Sequence, residues 1–205
     1  MKRFAAVTVI TLAASGFMLS HASKPLNDYK PRSGDLIFQS EASPQSGVIM
    51  FATLSRFNHV GIVFVENGKP YVYEAVGRVD RVPLRKYVNR GIGKKFTVRR
   101  LNRDLTSQEI KKLRRETRKY LGKRYDMYVS WSDKRMYCSE LAWKVYNRAL
   151  GVKISSVSRI KDYAHVANAP VMWALKKFAK SNFDLARLDL DEKIVAPGAL
   201  AKSRA

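Results

Sequence analysis

Three side chains of this 205-residue chain have the types and the spacing for nucleophilic chemistry: Cys138, His59 and Glu74. Cys138 is the only cysteine, so neither an internal disulfide nor a cysteine-rich metal site is open to it. What remains is an inert buried thiol, an intermolecular link or a nucleophile. It stands in Arg135-Met136-Tyr137-Cys138-Ser139-Glu140-Leu141, at the start of a helix-like run. A sulfur there faces unsatisfied backbone N–H groups and the positive end of the helix dipole. Beside an imidazolium, such a site lowers a cysteine pKa from about 8.5 into the range of roughly 3.5–7.5.

A base is needed next. His59 follows Phe57-Asn58 at the entry of the apolar run Val60-Gly61-Ile62-Val63-Phe64-Val65. An ionisable ring is hard to place there without a partner, and a satisfied structural histidine is the competing reading. The partner comes from hairpin geometry. The Asn67-Gly68 turn signal joins this run to Tyr71-Val72-Tyr73-Glu74-Ala75. Centring the turn between Asn67 and Gly68 places Glu74 opposite Gly61, two residues from His59 and on its face. Glu74 is then a diagonal neighbour of His59, with no Gly61 side chain between them. A carboxylate that fixes the imidazole is the third member a Cys–His pair requires; an exposed strand-end carboxylate is the bland alternative.

His165 has no such support and is read as structural. Glu140 is a rival carboxylate, but two helical residues set it about 200° from Cys138. The two histidines and one cysteine show no metal-ligand spacing. No metal and no cofactor are expected.

The elements that must position these groups follow in order. Residues 23–33 are a polar lead-in with Pro25 and Pro31; residues 34–39 read as a turn into a buried strand. Residues 47–54 could form a helix, and short strands are expected at 78–82 and 95–101. Thr106 and Glu109 fit a capping box. Ile110, Leu113, Thr117, Tyr120 and Leu121 then share one helical face, and Gly122 ends the helix. A second helix is expected from 137 to 150 before Gly151, and a third at 170–179. Strands precede helices without regular βαβ alternation, which indicates an α+β fold with a mostly antiparallel sheet.

The first residues read as an export signal. Lys2 and Arg3 precede the largely apolar stretch 4–19, and Ser20-His21-Ala22 supplies small residues for cleavage after Ala22. The expectation is a signal peptide at 1–22 and a single domain at 23–205, periplasmic or secreted. His21 would leave with the signal. The formal net charge is +22. Without a zinc-finger or RNA-binding aromatic signature, no nucleic acid is expected. Outside the cytoplasm the partners for such charge are anionic head groups of the envelope and the carboxylates of cell-wall peptides. The oligomeric state is unreadable from this sequence.

The motifs Gly34-Asp35-Leu36-Ile37-Phe38, Asn58-His59-Val60-Gly61-Ile62, Tyr73-Glu74-Ala75, Gly122-Lys123-Arg124-Tyr125-Asp126 and Tyr137-Cys138-Ser139-Glu140-Leu141 occur in that order. Together they resemble the YiiX/YebB-type family, circularly permuted papain-fold cysteine hydrolases related to NlpC-type cell-wall peptidases. The similarity spans residues 33–151, and residues 194–200 match the family's closing strand-and-proline element. The resemblance implies a permuted papain-like fold with the nucleophile at a helix N-terminus. It implies Cys138 as nucleophile, His59 as base and Glu74 as orienting residue. Tyr137 or nearby backbone N–H groups would stabilise the oxyanion, while Tyr125 and Asp126 brace or line the site. Residues 152–193 are less family-like and read as a lid or a substrate-selecting insertion.

The expected function is an extracytoplasmic thiol hydrolase that cleaves an amide bond in peptidoglycan stem peptides through an acyl-enzyme. The same scaffold is similar to lecithin:retinol acyltransferase-like proteins, so a lipid amidase, esterase or acyltransferase is the enzymatic alternative. A non-catalytic basic module binding the envelope is the alternative from another class.

Overall fold

Six antiparallel strands form the central sheet of the computed structural model, which describes residues 17–19, 26–42, 55–163 and 187–203. They are β1 (Phe17–Leu19), β2 (Leu36–Glu41), β3 (His59–Glu66), β4 (Lys69–Val76), β5 (Arg78–Pro83) and β6 (Gly91–Leu101), in the order β1-β6-β2-β3-β4-β5. The helices are α1 (Leu84–Arg90), α2 (Ser107–Arg118), α3 (Cys138–Leu150) and α4 (Pro197–Lys202). A two-stranded ribbon pairs β7 (Ser158–Arg159) with β8 (Lys193–Ile194). The fold is α+β, as the order of strands and helices predicts.

β3 is apolar on both sides and buried through its first six residues, because each face of the sheet is covered. On one face Val60, Ile62, Phe64, Tyr73 and Ala75 pack with Cys138, Leu141, Ala142 and Val145 of α3. On the other, Ile37, Val63 and Val72 pack with Leu84, Tyr87 and Val88 of α1. The period-2 alternation of the strands sorts residues between these two layers. The β3–β4 hairpin turns at Asn67 and Gly68, both at positive φ, as an Asn-Gly turn of the I′ type requires.

α2 begins where the capping box places it. Thr106 Oγ1 accepts from Glu109 N at 3.2 Å, and Thr106 N donates to Glu109 Oε2 at 2.9 Å. Leu113 and Thr117 are buried, but Leu121 is exposed beyond the helix end. α3 ends at Gly151, whose φ of 70° closes the helix in the left-handed region.

The strands β1 and β7 and the helices α1 and α4 were not expected from the sequence, in which 194–200 reads as a closing strand-and-proline element. Residues 84–90, between two of the anticipated strands, form α1. The helix at 47–54, the helix at 170–179, His165 and most of residues 1–22 lie outside the described residues. Among the described residues, no helix is long and apolar enough to cross a membrane.

Candidate active site

Cys138 is the first residue of α3, and Tyr137 before it has extended backbone. Three bonds fix this helix start. Tyr137 Oη accepts from Val195 N at 3.2 Å. Ser139 Oγ donates to Val195 O at 2.6 Å. Glu140 Oε2 accepts from Tyr137 N at 3.4 Å. The segment before α4 thus clasps the turn that carries the thiol.

His59 opens β3, and the register Ile62↔Tyr73 continues to bring Glu74 opposite Gly61. His59 Nε2 lies 2.6 Å from Glu74 Oε2, with both side chains buried. The Cys138 thiol is near enough to the same imidazole to favour its charged form. With Nε2 engaged by Glu74, Nδ1 is the ring nitrogen left for sulfur. The ring also stacks on Tyr87 of α1, centroids 5.5 Å apart and planes at 29°. Tyr87 Oη donates to Ile37 O at 2.9 Å, which fixes the platform.

Burial works against a charged His59, but Cys138 and Glu74 outweigh it and raise the ring to about 10. Burial likewise works against ionised Glu74. The bonds from His59 and Arg90 prevail and hold its carboxyl below the usual range. Each partner stabilises the charged form of the other. A thiol, an imidazole and a carboxylate so joined can hold a thiolate–imidazolium pair.

The other residues singled out from the sequence occupy distinct positions. Tyr125 and Cys138 are close enough to interact electrostatically. Tyr125 forms a bridge with Met136, two residues before Cys138. Asp126 accepts from Tyr128 N at 3.0 Å and from Ser130 Oγ at 2.5 Å, closing the loop beneath the site. Glu140 is fully buried and pairs with Lys144 one turn along, at 2.7 Å. It points away from His59, as the helical angle requires.

Four further residues surround His59 that the sequence reading did not single out: Gln39, Glu41, Tyr87 and Arg90. Glu41 Oε1 stands 4.0 Å from His59 Nε2. It accepts from Gln39 Nε2 at 2.5 Å and from Arg90 Nε at 3.3 Å. Arg90 also bonds Glu74 directly. Glu41, His59 and Glu74 each offer a ligand atom, all within 4.8 Å of one another. The sequence did hold a signal for α1. Leu84, Tyr87 and Val88 have helical i, i+3, i+4 spacing directly after Pro83.

Residues 30–205 match the Peptidase_C92 family, described as permuted papain-like amidase enzyme, YaeF/YiiX. The uncharacterized protein YiiX of Escherichia coli (strain K12) is 38% identical over 178 residues, covering 87% of this chain and 85% of its own length. The crystal structure of metalloprotein YiiX from Escherichia coli O157:H7 superposes with a TM-score of 0.78 at 39% identity. That match covers 85% of this chain and 94% of the solved one. The chain belongs to the permuted papain-like amidases of the YaeF/YiiX type and is a cysteine hydrolase.

Proposed function

We propose that this hydrolase works outside the cytoplasm and cleaves an amide bond of peptidoglycan stem peptides. Cys138 is the nucleophile, His59 the base and Glu74 the residue that orients the imidazole. The observation that carries the reading is His59 itself, held through Nε2 by Glu74 at 2.6 Å and close enough to the Cys138 thiol for the sulfur to favour the charged ring. The Cys138 thiolate, its proton already on His59, attacks the amide carbon. Backbone N–H groups of the first turn of α3, with Tyr137 beside them, stabilise the oxyanion. Collapse expels the amine, which leaves with the proton held by His59. Water, deprotonated by His59, then cleaves the thioester and restores the thiol.

The charge of +22 supports an anionic substrate. On α2 and its C-cap, Lys111, Lys112, Arg115, Arg118 and Lys119 are exposed within an arc of about 120°, with Lys119 paired to Glu116 and Arg118 near Glu66. The apolar stretch 4–19 after Lys2 and Arg3 supports export, in which case the edge strand β1 leaves the sheet with the signal.

The solved relative is described as a metalloprotein, and Glu41, His59 and Glu74 converge closely enough to be tested for such a role. In this chain they do not fit a divalent ion. The Arg90 guanidinium already bonds both carboxylates, and His59 Nε2 is turned onto Glu74 rather than onto a shared centre. No step of the reaction is routed through a metal.

Purified muropeptides, diacylphospholipids and lysophospholipids, each incubated with wild type and Cys138→Ser, test the proposal. New amino groups from muropeptides with wild type alone are the expected result. Fatty-acid release from the lipids, without peptide cleavage, would transfer the chain to the acyl-lipid reading.

A further inference from the structure

A buried carboxylate, Glu74, and a half-buried one, Glu41, facing one imidazole pose an electrostatic problem. Glu74 comes from β4 and Glu41 from β2, and both look onto His59 of β3 at 2.6 and 4.0 Å. Like charges this close, removed from water, repel strongly, and one of such a pair ordinarily keeps a proton. A proton on Glu74 would leave it unable to stabilise an imidazolium.

The remedy lies at the end of α1. Arg90 reaches over the stacked ring of Tyr87, its guanidinium carbon 5.6 Å from the ring centroid. It bonds Glu74 and, at 3.2 Å, Glu41. Arginine suits this place because its planar fork serves two carboxylates at once and stays charged. Its position in the last turn of α1 is also the end where the helix dipole favours a cation. Glu41 is anchored on β2, and its carboxylate is held toward Arg90. Its backbone N donates to Asn58 Oδ1 at 2.9 Å, Asn58 Nδ2 donates to its carbonyl at 2.9 Å, and Gln39 holds its carboxylate. The register shift between Gln39 and Glu41 against β6 puts Glu41 across from Gly91, next to Arg90.

We infer that Arg90 is a positioning residue of the reaction, the built-in cation that lets Glu74 and Glu41 both face His59 as carboxylates. This rests on the proposed roles of Cys138, His59 and Glu74. The charged or titratable groups around Glu74 are His59, Glu41, Tyr87, Arg90 and Cys138, with the exposed Asp80 as its cross-strand neighbour on β5, and of these only Arg90 is a permanent cation. Remove it, and Glu74 takes up a proton at a higher pH. Below that pH the imidazolium loses its counter-charge and the thiolate its partner.

Iodoacetamide alkylation of Cys138, followed by mass spectrometry from pH 4 to 9, reads this without a substrate, since the chain has no other cysteine. Wild type, Arg90→Met, Arg90→Lys and the double variant Arg90→Met/Glu41→Gln are compared, each checked for folding by circular dichroism. In Arg90→Met the fall in reactivity towards acid is expected to move up by about one pH unit. Arg90→Lys should fall between it and wild type. The double variant, with one carboxylate removed, should return towards the wild-type profile. An unshifted profile in folded Arg90→Met overturns the inference, as does a loss equal at every pH that Glu41→Gln does not rescue. A wild-type thiol that is unreactive at pH 6 would instead sink the Cys–His reading itself, and this inference with it.

Discussion

Glu74 Oε2 comes within 2.6 Å of His59 Nε2 from the strand alongside. The glycine opposite Glu74, Gly61, leaves the diagonal between them clear. Glu74 therefore both holds the ring and balances its charge. Glu74→Gln separates these tasks, because the amide oxygen can still accept a bond but cannot neutralise an imidazolium. We expect turnover to fall about 10- to 100-fold, each factor of ten being about 1.4 kcal/mol of transition-state stabilisation. Cys138→Ser and His59→Ala should abolish it. Steady-state rates for the three variants check this, and a Glu74→Gln enzyme as fast as wild type would remove Glu74 from the mechanism.

The His59 cluster also sets a pH dependence of stability. Its ring titrates near 6.5 in an unfolded chain and at about 10 here, where Cys138 and Glu74 overcome burial. A base held more strongly in the folded state stabilises the fold fully below pH 6.5 and loses that contribution as pH rises through about 10. The melting-temperature gap between wild type and His59→Gln should be widest near pH 6 and close towards pH 10.5. Calorimetry across that range decides it. A gap that widens with pH would contradict the direction given.

The part of the site carried by one hairpin was legible in the sequence. Asn67-Gly68 fixes the turn, the turn fixes the register, and the register joins Glu74 to His59. The start of α3 was legible too, because a helical apolar face begins beside Cys138 and stops at Gly151. Arg90 and Glu41 were not. Placing Glu41 needs the irregular register between β2 and β6, which no local pattern encodes. Placing Arg90 needs α1, a seven-residue helix inserted between two strands. Its Arg85-Lys86 and Arg90 read as a basic surface run until Tyr87 is seen packed under His59.

Glu140 lies two residues after Cys138 and serves as a control for charge in this neighbourhood. Burial is the main influence on it and raises its carboxyl to about 7, with Lys144 opposing. An acid whose pKa is raised on folding stabilises the fold below its unfolded value. That contribution fades as pH rises from about 4.5 to about 7. Glu140→Gln lacks this titration, so its stability relative to wild type should improve between pH 5 and pH 8. Because Glu140 makes no bond to His59, iodoacetamide should still alkylate Cys138 in the variant. Urea unfolding at the two pH values and alkylation at pH 6 test both statements, and a dead thiol in folded Glu140→Gln would show that the wrong carboxylate had been assigned to His59.

Gly61 gives a test of geometry without altering any charged group. A methyl group there would collide with Val72 Cγ1, lie 3.2 Å from the Tyr73 carbonyl oxygen and 3.4 Å from Tyr87 Cε2. Val72 is buried in the layer beneath α1 and has no free space to retreat into. Overpacking of this kind costs about 1–3 kcal/mol. Relief by moving Tyr87 would tilt the surface on which His59 is stacked. Gly61→Ala should thus lose stability and lower kcat by more than it changes KM, because the shift reaches the base and not the substrate cleft. Gly68→Ala is the comparison. That position is open and its φ of 76° disfavours a side chain, so it should cost stability alone. If Gly61→Ala were to lose stability while keeping the wild-type kcat, the Tyr87 platform would have no part in holding His59 in its working position.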